Sequence, residues 1–168
     1  CVADIASNFT TNRMLIDYEE RFYNKLAERK KLMLDKNYIM ARQIAAWKRK
    51  VSAAWDNIVI RDVKRAEIES EAMYVGKKYH FELTIDLAGL QKEDIGAELV
   101  VATQIEAGQA ANVVETRRLE IVASDDKSVT LALDYAPEHT GMFDVALRVF
   151  PVNDNLEHRM DFALVKWA

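Results

Sequence analysis

The sequence predicts an α+β chain in which helices come first and an antiparallel β domain follows. Three observations predict it. Residues 1–55 contain no glycine or proline, whereas all five glycines and both prolines fall in 56–168. The apolar spacing changes near Asp56 from threes and fours, the period of a helix, to twos, the period of a strand. Charge changes with it: Lys and Arg outnumber Asp and Glu by 11 to 6 as far as Trp55, and acids outnumber bases by 21 to 12 beyond it. The expected domains are a helical segment over 1–56 and a β domain over 57–168.

Side-chain oxygens of Ser7 and Asn8, or of Thr10 to Asn12, are placed to cap a helix that starts near Thr11. Leu15, Tyr18, Phe22, Leu26 and Arg29 then recur at helical spacing, with Met14 and Tyr23 widening the apolar stripe. Asp35-Lys36-Asn37 is the expected break. A second stripe follows in Met40, Ile44, Trp47, Val51, Ala54 and Trp55. This is read as a helical hairpin, and one long kinked helix fits the same pattern.

Ile58 and Ile60 open a strand through Val63, with an extension toward Ile68. Tyr79, Phe81, Leu83, Ile85 and Leu87 alternate with polar residues as one face of a half-buried strand should. Further strands are expected at Ile95–Val101, at Leu119 with Ile121, at Val129–Leu133, at Phe143–Val149 and at Met160–Leu164, the last ending at Trp167. Turns fall at Gly89, Ala107-Gly108, Ser124 to Asp126 and Pro137 to Gly141. The segment Thr103 to Thr116 reads as a flexible loop. Seven short strands without an intervening helix indicate an antiparallel immunoglobulin-like β-sandwich, without the Cys–Trp–Cys pattern of antibody domains.

Half the residues are hydrophobic and 30% are charged, ordinary for a globular protein. A β domain of about 110 residues buries its own core, whereas a helical pair of about 55 residues needs a neighbour. No apolar run approaches the roughly 20 residues of a membrane span, and no signal peptide is visible. The start at Cys1, without an initiator Met, is read as that of a fragment. Cys1 is the single cysteine, so there is no internal disulfide framework, in keeping with a reducing, cytoplasmic setting. The net charge of −4 divides into +5 for the first segment and −9 for the second.

Catalytic, cofactor-binding and metal residues are all expected to be absent. His80, His139 and His158 lie far apart, and no cysteine pair offers a zinc site. There is no phosphate loop, Walker lysine or nucleophile elbow. Asp125-Asp126 reads as turn chemistry rather than calcium binding, and Glu93-Asp94 as a surface connection with a short helical turn. Lys48-Arg49-Lys50 with Trp47 and Trp55 invites a nucleic-acid reading, but both tryptophans share the stripe of Ile44 and Val51 and are expected in a core. Tyr79, Tyr135 and Trp167 are read as buried rather than as sugar-stacking rings.

One resemblance runs along the chain. Phe9-Thr10-Thr11-Asn12-Arg13-Met14-Leu15-Ile16-Asp17-Tyr18-Glu19-Glu20-Arg21-Phe22-Tyr23 resembles the closing helix of bacterial and archaeal α-glucan phosphorylases. Ala46-Trp47-Lys48 and Ala54-Trp55 are similar to the next helix of that family. Gly89-Leu90 with Glu93-Asp94-Ile95, Gly141 with Phe143 and Val145, Arg148-Val149 with Pro151, and the terminal Leu164-Val165-Lys166-Trp167-Ala168 carry it into the β domain. Where the family often has a proline after the aromatic pair this chain has Asn24-Lys25, which implies a longer first helix.

The resemblance implies a C-terminal, non-catalytic segment of a longer enzyme. That enzyme would transfer a glucosyl unit between an α-1,4-glucan and phosphate, giving glucose 1-phosphate, with pyridoxal phosphate on a lysine that precedes this segment. The implied partners are the N-terminal catalytic body, met through Leu15, Tyr18, Phe22, Ile44 and Trp47, and an α-glucan. No nucleic acid or membrane is implied. An apolar stripe of that size also predicts self-association through 11–55. The alternative is a self-contained glucan-binding or structural interaction module with a helical dimerisation arm.

Overall fold

The computed structural model of the chain describes residues 10–65, 73–103 and 112–168. The chain divides into two compact units, Cys1–Trp47 and Lys48–Ala168.

Helix α1 spans Thr11–Tyr18, and the Thr10 side chain accepts the Arg13 amide at 3.2 Å, so the start falls at the expected cap. It passes into a π-helical turn at Glu19–Tyr23 and then into α2, Asn24–Trp55. The extra residue of the π turn slides the stripe around the axis and gathers Tyr18, Phe22 and Tyr23, with ring centroids 5.7 and 6.3 Å apart. Leu15, Tyr18, Phe22 and Leu26 stand exposed. Within α2 the backbone leaves helical geometry at Asp35, which is extended, and at Lys36, Asn37 and Tyr38, which all have positive φ. The expected break at Asp35-Lys36-Asn37 is therefore present. Asp35 helps to form it, because its carboxylate accepts the Lys36 amide at 2.9 Å in competition with the helix ladder.

In the second unit the last turns of α2 bury Val51 and Trp55, and the chain turns into β1 as Ile58 donates to the Trp55 carbonyl. The strands are β1 Val59–Arg65, β2 Tyr79–Asp86, β3 Ile95–Thr103, β4 Val113–Arg118, β5 Glu120–Ser124, β6 Ser128–Tyr135, β7 Phe143–Pro151 and β8 Lys166–Trp167. They form two four-stranded sheets, ordered β1-β2-β6-β5 and β4-β3-β7-β8, in which every pairing is antiparallel. On β2 the buried Tyr79, Phe81, Leu83 and Ile85 alternate with less buried neighbours, as their period demands. Register places Leu83 opposite Leu131 and Leu99 opposite Leu147, which joins each sheet's central pair through its core face. The turn after β2 carries Ala88 and Gly89 at φ +48° and +84°, and the glycine takes the second position without a Cβ penalty.

Two expectations are corrected. Met160–Leu164 is not a strand. Residues Arg159–Phe162 form a 3₁₀ turn, because the His158 ring accepts the Met160 amide at 3.1 Å and Asp161 reaches back to the His158 amide at 3.3 Å. Local capping outweighs an alternation only three residues deep, and the last strand shrinks to Lys166–Trp167. The second correction concerns the loop Thr103 to Thr116, whose far end is strand: Val113–Arg118 pairs with β3. This strand is exposed on most of its length, so it shows little alternation and long-range pairing creates it. The turn at Ala107-Gly108 and the extension of β1 toward Ile68 lie outside the described residues.

Candidate functional site

Residues that open the second sheet border a cleft of about 660 Å³ at one end of the β unit. Its walls come from Met73–Val75 before β2, from Val114 and Glu115 on β4, from Tyr135 at the end of β6, and from His139–Val145 leading into β7. The backbone fixes the rim. Tyr74 donates its amide to the Tyr79 hydroxyl at 2.7 Å, and Gly76 donates to the Pro137 carbonyl at 3.1 Å. At the floor the Tyr135 hydroxyl donates to Glu115 Oε2 at 3.1 Å, while Glu115 Oε1 faces the Arg117 guanidinium. Burial, then the adjoining Glu115 carboxylate, pushes the Tyr135 hydroxyl up to about 12, so it stays protonated and remains a donor. Phe143 lies directly over Gly141, where a Cβ would come within 2.9 Å of the ring. Tyr74 is 62% exposed and Met142 is 74% exposed, so the cleft has an apolar, partly aromatic lip around an acidic floor.

The residues singled out in the sequence do not assemble there. His139 lines the cleft, His158 caps the 3₁₀ turn, and His80 sits on β2. Tyr79 and Tyr135 are buried as expected, whereas Trp167 is 58% exposed and carries the Arg148 guanidinium 5.7 Å from its ring centre. That is a correction: β8 is a two-residue edge strand, which among the described residues leaves the ring largely exposed. Asp125 behaves as turn chemistry, accepting the amides of Lys127 and Ser128 at 2.7 and 2.6 Å, and these bonds hold its carboxyl below its ordinary value. Glu93-Asp94 lies in the short 3₁₀ turn Lys92–Asp94. Of the basic cluster, Lys48 donates to the Asp161 carbonyl and stands over Phe162, and Lys50 pairs with Asp94 at 3.2 Å. Trp55 is buried and Trp47 half-buried. Among the described residues no group of His, Cys, Asp and Glu is placed to hold a metal ion, and no helix is long and apolar enough to cross a membrane.

Two charge clusters lie outside the cleft. On the outer face of β2 the His80 ring meets Asp134 at 2.7 Å and Glu82 at 3.7 Å, and Lys64 pairs with Glu82 at 2.5 Å. The Asp134 hydrogen bond raises His80 above 6.5 despite opposing desolvation. A histidine raised on folding stabilises most below its unfolded value, and that contribution fades as pH rises through the folded one. The stability difference between the natural chain and His80→Gln is therefore expected below pH 6.5 and absent well above it, read from urea midpoints across pH. A difference independent of pH would rule the ion pair out as its source. The second cluster is Glu98 on β3, the buried charged residue of the sheet, held by Arg148 and Arg159. These arginines also stand over Trp167 and Phe150, which fastens the 3₁₀ turn and the final strand to the sheet.

The cleft was missed in the sequence because its walls, Val101 on β3 included, come from widely separated stretches, none with a motif of its own. Comparison with known proteins supplies the context. The chain is similar to the maltodextrin phosphorylase of Thermococcus litoralis, at 27% identity over 170 residues, covering 99% of this chain and 19% of that protein. It is also similar to the glycogen phosphorylase of Mycobacterium tuberculosis H37Rv, at 26% identity over 139 residues, covering 83% of this chain and 14% of that one. The chain thus spans about a fifth or less of the curated relatives it matches. Residues 55–168 match the family described as the glycogen phosphorylase C-terminal domain. With that match over the whole β region, this chain belongs to the glycogen phosphorylase C-terminal domain family.

Proposed function

We propose that this chain is the non-catalytic C-terminal segment of an α-glucan phosphorylase. The full-length form would transfer glucosyl units from α-1,4-glucan to phosphate and release glucose 1-phosphate in the cytoplasm. The observation that carries the reading is the family match over 55–168, joined to similarity with a maltodextrin phosphorylase along 99% of the chain. The β region, 57–168, acts as an immunoglobulin-like β-sandwich. The Tyr135–Glu115 hydrogen bond between β6 and β4 ties one sheet to the other and supports that reading.

The helical segment, 1–56, acts as a hairpin that reverses at Asp35–Tyr38 and docks on the preceding catalytic body. Two observations support docking. The similarity to the Thermococcus enzyme includes the helices, although the domain family begins only at residue 55. The stripe of Leu15, Tyr18 and Phe22 is also exposed, a surface that self-associates when its partner is missing. Pyridoxal phosphate would be held by the catalytic body. The cleft described above does not fit that cofactor, because among the described residues no lysine lines it to form a Schiff base.

The test is an immunoblot of source cells with antibody against this chain, followed by phosphorolysis of maltooligosaccharides by the polypeptide detected. The expected band is several times larger than 19.2 kDa, and the expected product is glucose 1-phosphate. A band near 19.2 kDa with no precursor would remove the reading and leave a self-contained glucan-binding or structural module with a helical dimerisation arm.

A further inference from the structure

We propose that the side of the β unit formed by β4 and β5 is an interface for a second copy of this chain, in which the two β4 strands pair antiparallel about a two-fold axis at Thr116. The proposal rests on the edges of the sheets and on the order of charges along β4.

Strands β1 and β8 edge one side of the unit, and that side is closed. Lys166 on β8 donates to the Asp56 and Ile58 carbonyls ahead of β1, and Arg65 on β1 reaches the Ala168 carbonyl. Strands β4 and β5 are joined by Leu119 alone, so their edges share the other side. There the core is open to water. Ile121 pairs with the fully buried Leu131 yet is 43% exposed, and Val113, Val114 and Val122 are exposed along the same two strands. An apolar open edge is a template for another strand unless something blunts it. A bulge between Ile121 and Ala123 blunts β5 at its middle. The irregularity of β4 lies at its start, at Val114, and residues 115–118 pair with β3 one for one.

The backbone of β4 turns free groups outward. Leu119 donates its amide to the Ala97 carbonyl at 2.9 Å. Bonded and non-bonded positions alternate along an antiparallel ladder, so Arg117 and Glu115 also bond to β3, while Thr116 and Arg118 direct their amides and carbonyls away from it. A second β4 centred on Thr116 exchanges backbone bonds with Thr116 and sets Glu115 of each copy opposite Arg117 of the other. Centring on Glu115, Arg117 or Arg118 instead sets like charges face to face, so the sequence of the edge selects one register. Arg117 can serve both copies, because its bonds to Glu115 and Glu138 in its own chain leave donors of the guanidinium unused. Such an arrangement is isologous and closes as a dimer.

The test is analytical ultracentrifugation of the 168-residue chain with Leu15→Glu and Phe22→Glu, two exposed positions whose change removes association through the helical stripe. The expected result is a concentration-dependent dimer. Adding Thr116→Pro removes the outward amide from both copies and leaves the bonds to β3, so it should raise the dimer dissociation constant roughly tenfold or more. Thermal unfolding verifies that the proline variant is folded. A second measurement decides the matter if it is not. In the same chain with Cys1→Ser, a short bismaleimide should join Thr116→Cys to its counterpart and leave Asp126→Cys, at the far end of β5, largely unlinked. A monomer at every concentration, unchanged association of a folded Thr116→Pro, or cross-linking no greater at 116 than at 126 each overturns the proposal.

Discussion

Leu99→Ala is expected to destabilise the β unit by about 3–4 kcal/mol, a large loss for a single change. Leu99 is fully buried at the middle of β3, opposite Leu147 on β7. It belongs to the most deeply buried group, with Leu83, Ile85 and Leu131. Truncation removes three carbons from the core and leaves a hole that central strands of two sheets cannot collapse to fill. Both the lost transfer energy and the lost dispersion contacts therefore count. Leu99→Met keeps the volume and should cost less than about 1.5 kcal/mol. Urea unfolding of the three proteins decides the matter. A loss below about 1 kcal/mol for the alanine variant would mean that the position is not sealed as the register requires.

Glu98→Ala is expected to cost about 2–3 kcal/mol, through a different mechanism. The Glu98 side chain is only 8% exposed and its carboxylate neutralises Arg148, itself 17% exposed. Removing the acid strands a half-buried guanidinium, and that penalty exceeds what the pair contributes in place. Arg159 is 42% exposed and can turn to water, which keeps the figure below that of a fully enclosed triad. The double variant Glu98→Leu with Arg148→Met should recover much of the loss, because no charge is then left without a partner. If the single effects simply add in the double variant, the two residues are not coupled and the cluster does not fasten the final strand.

Legibility along the sequence followed how local each signal was. The Thr10 cap, the break at Asp35, the glycine turn at Gly89 and the Asp125 turn all depend on bonds within a few residues, and each could be read directly. Strand β2 was legible because one face is buried and the other less so, and β6 and β7 carry the same apolar alternation in sequence although part of each is buried on both faces. Strand β4 was not, since most of it is exposed and no face is selected. At the C-terminus an alternation of three apolar residues lost to the His158–Asp161 capping bonds. Trp167 misled for a related reason: an aromatic in an apolar setting reads as core, yet only neighbouring strands decide whether it is covered.

By itself, the sequence determined that helices precede an antiparallel β unit, where most strands and turns fall, and the phosphorylase resemblance that the family match then supported. The order of the strands, the pairing that makes β4, the exposure of Trp167 and the existence of the cleft were decided only by tertiary structure. The physical reason is range. Propensity, capping and periodicity act over a few residues and leave a mark there. Register and concavity arise where Tyr74, Glu115, Tyr135 and Phe143 are brought together from distant stretches, and no local spacing records that meeting.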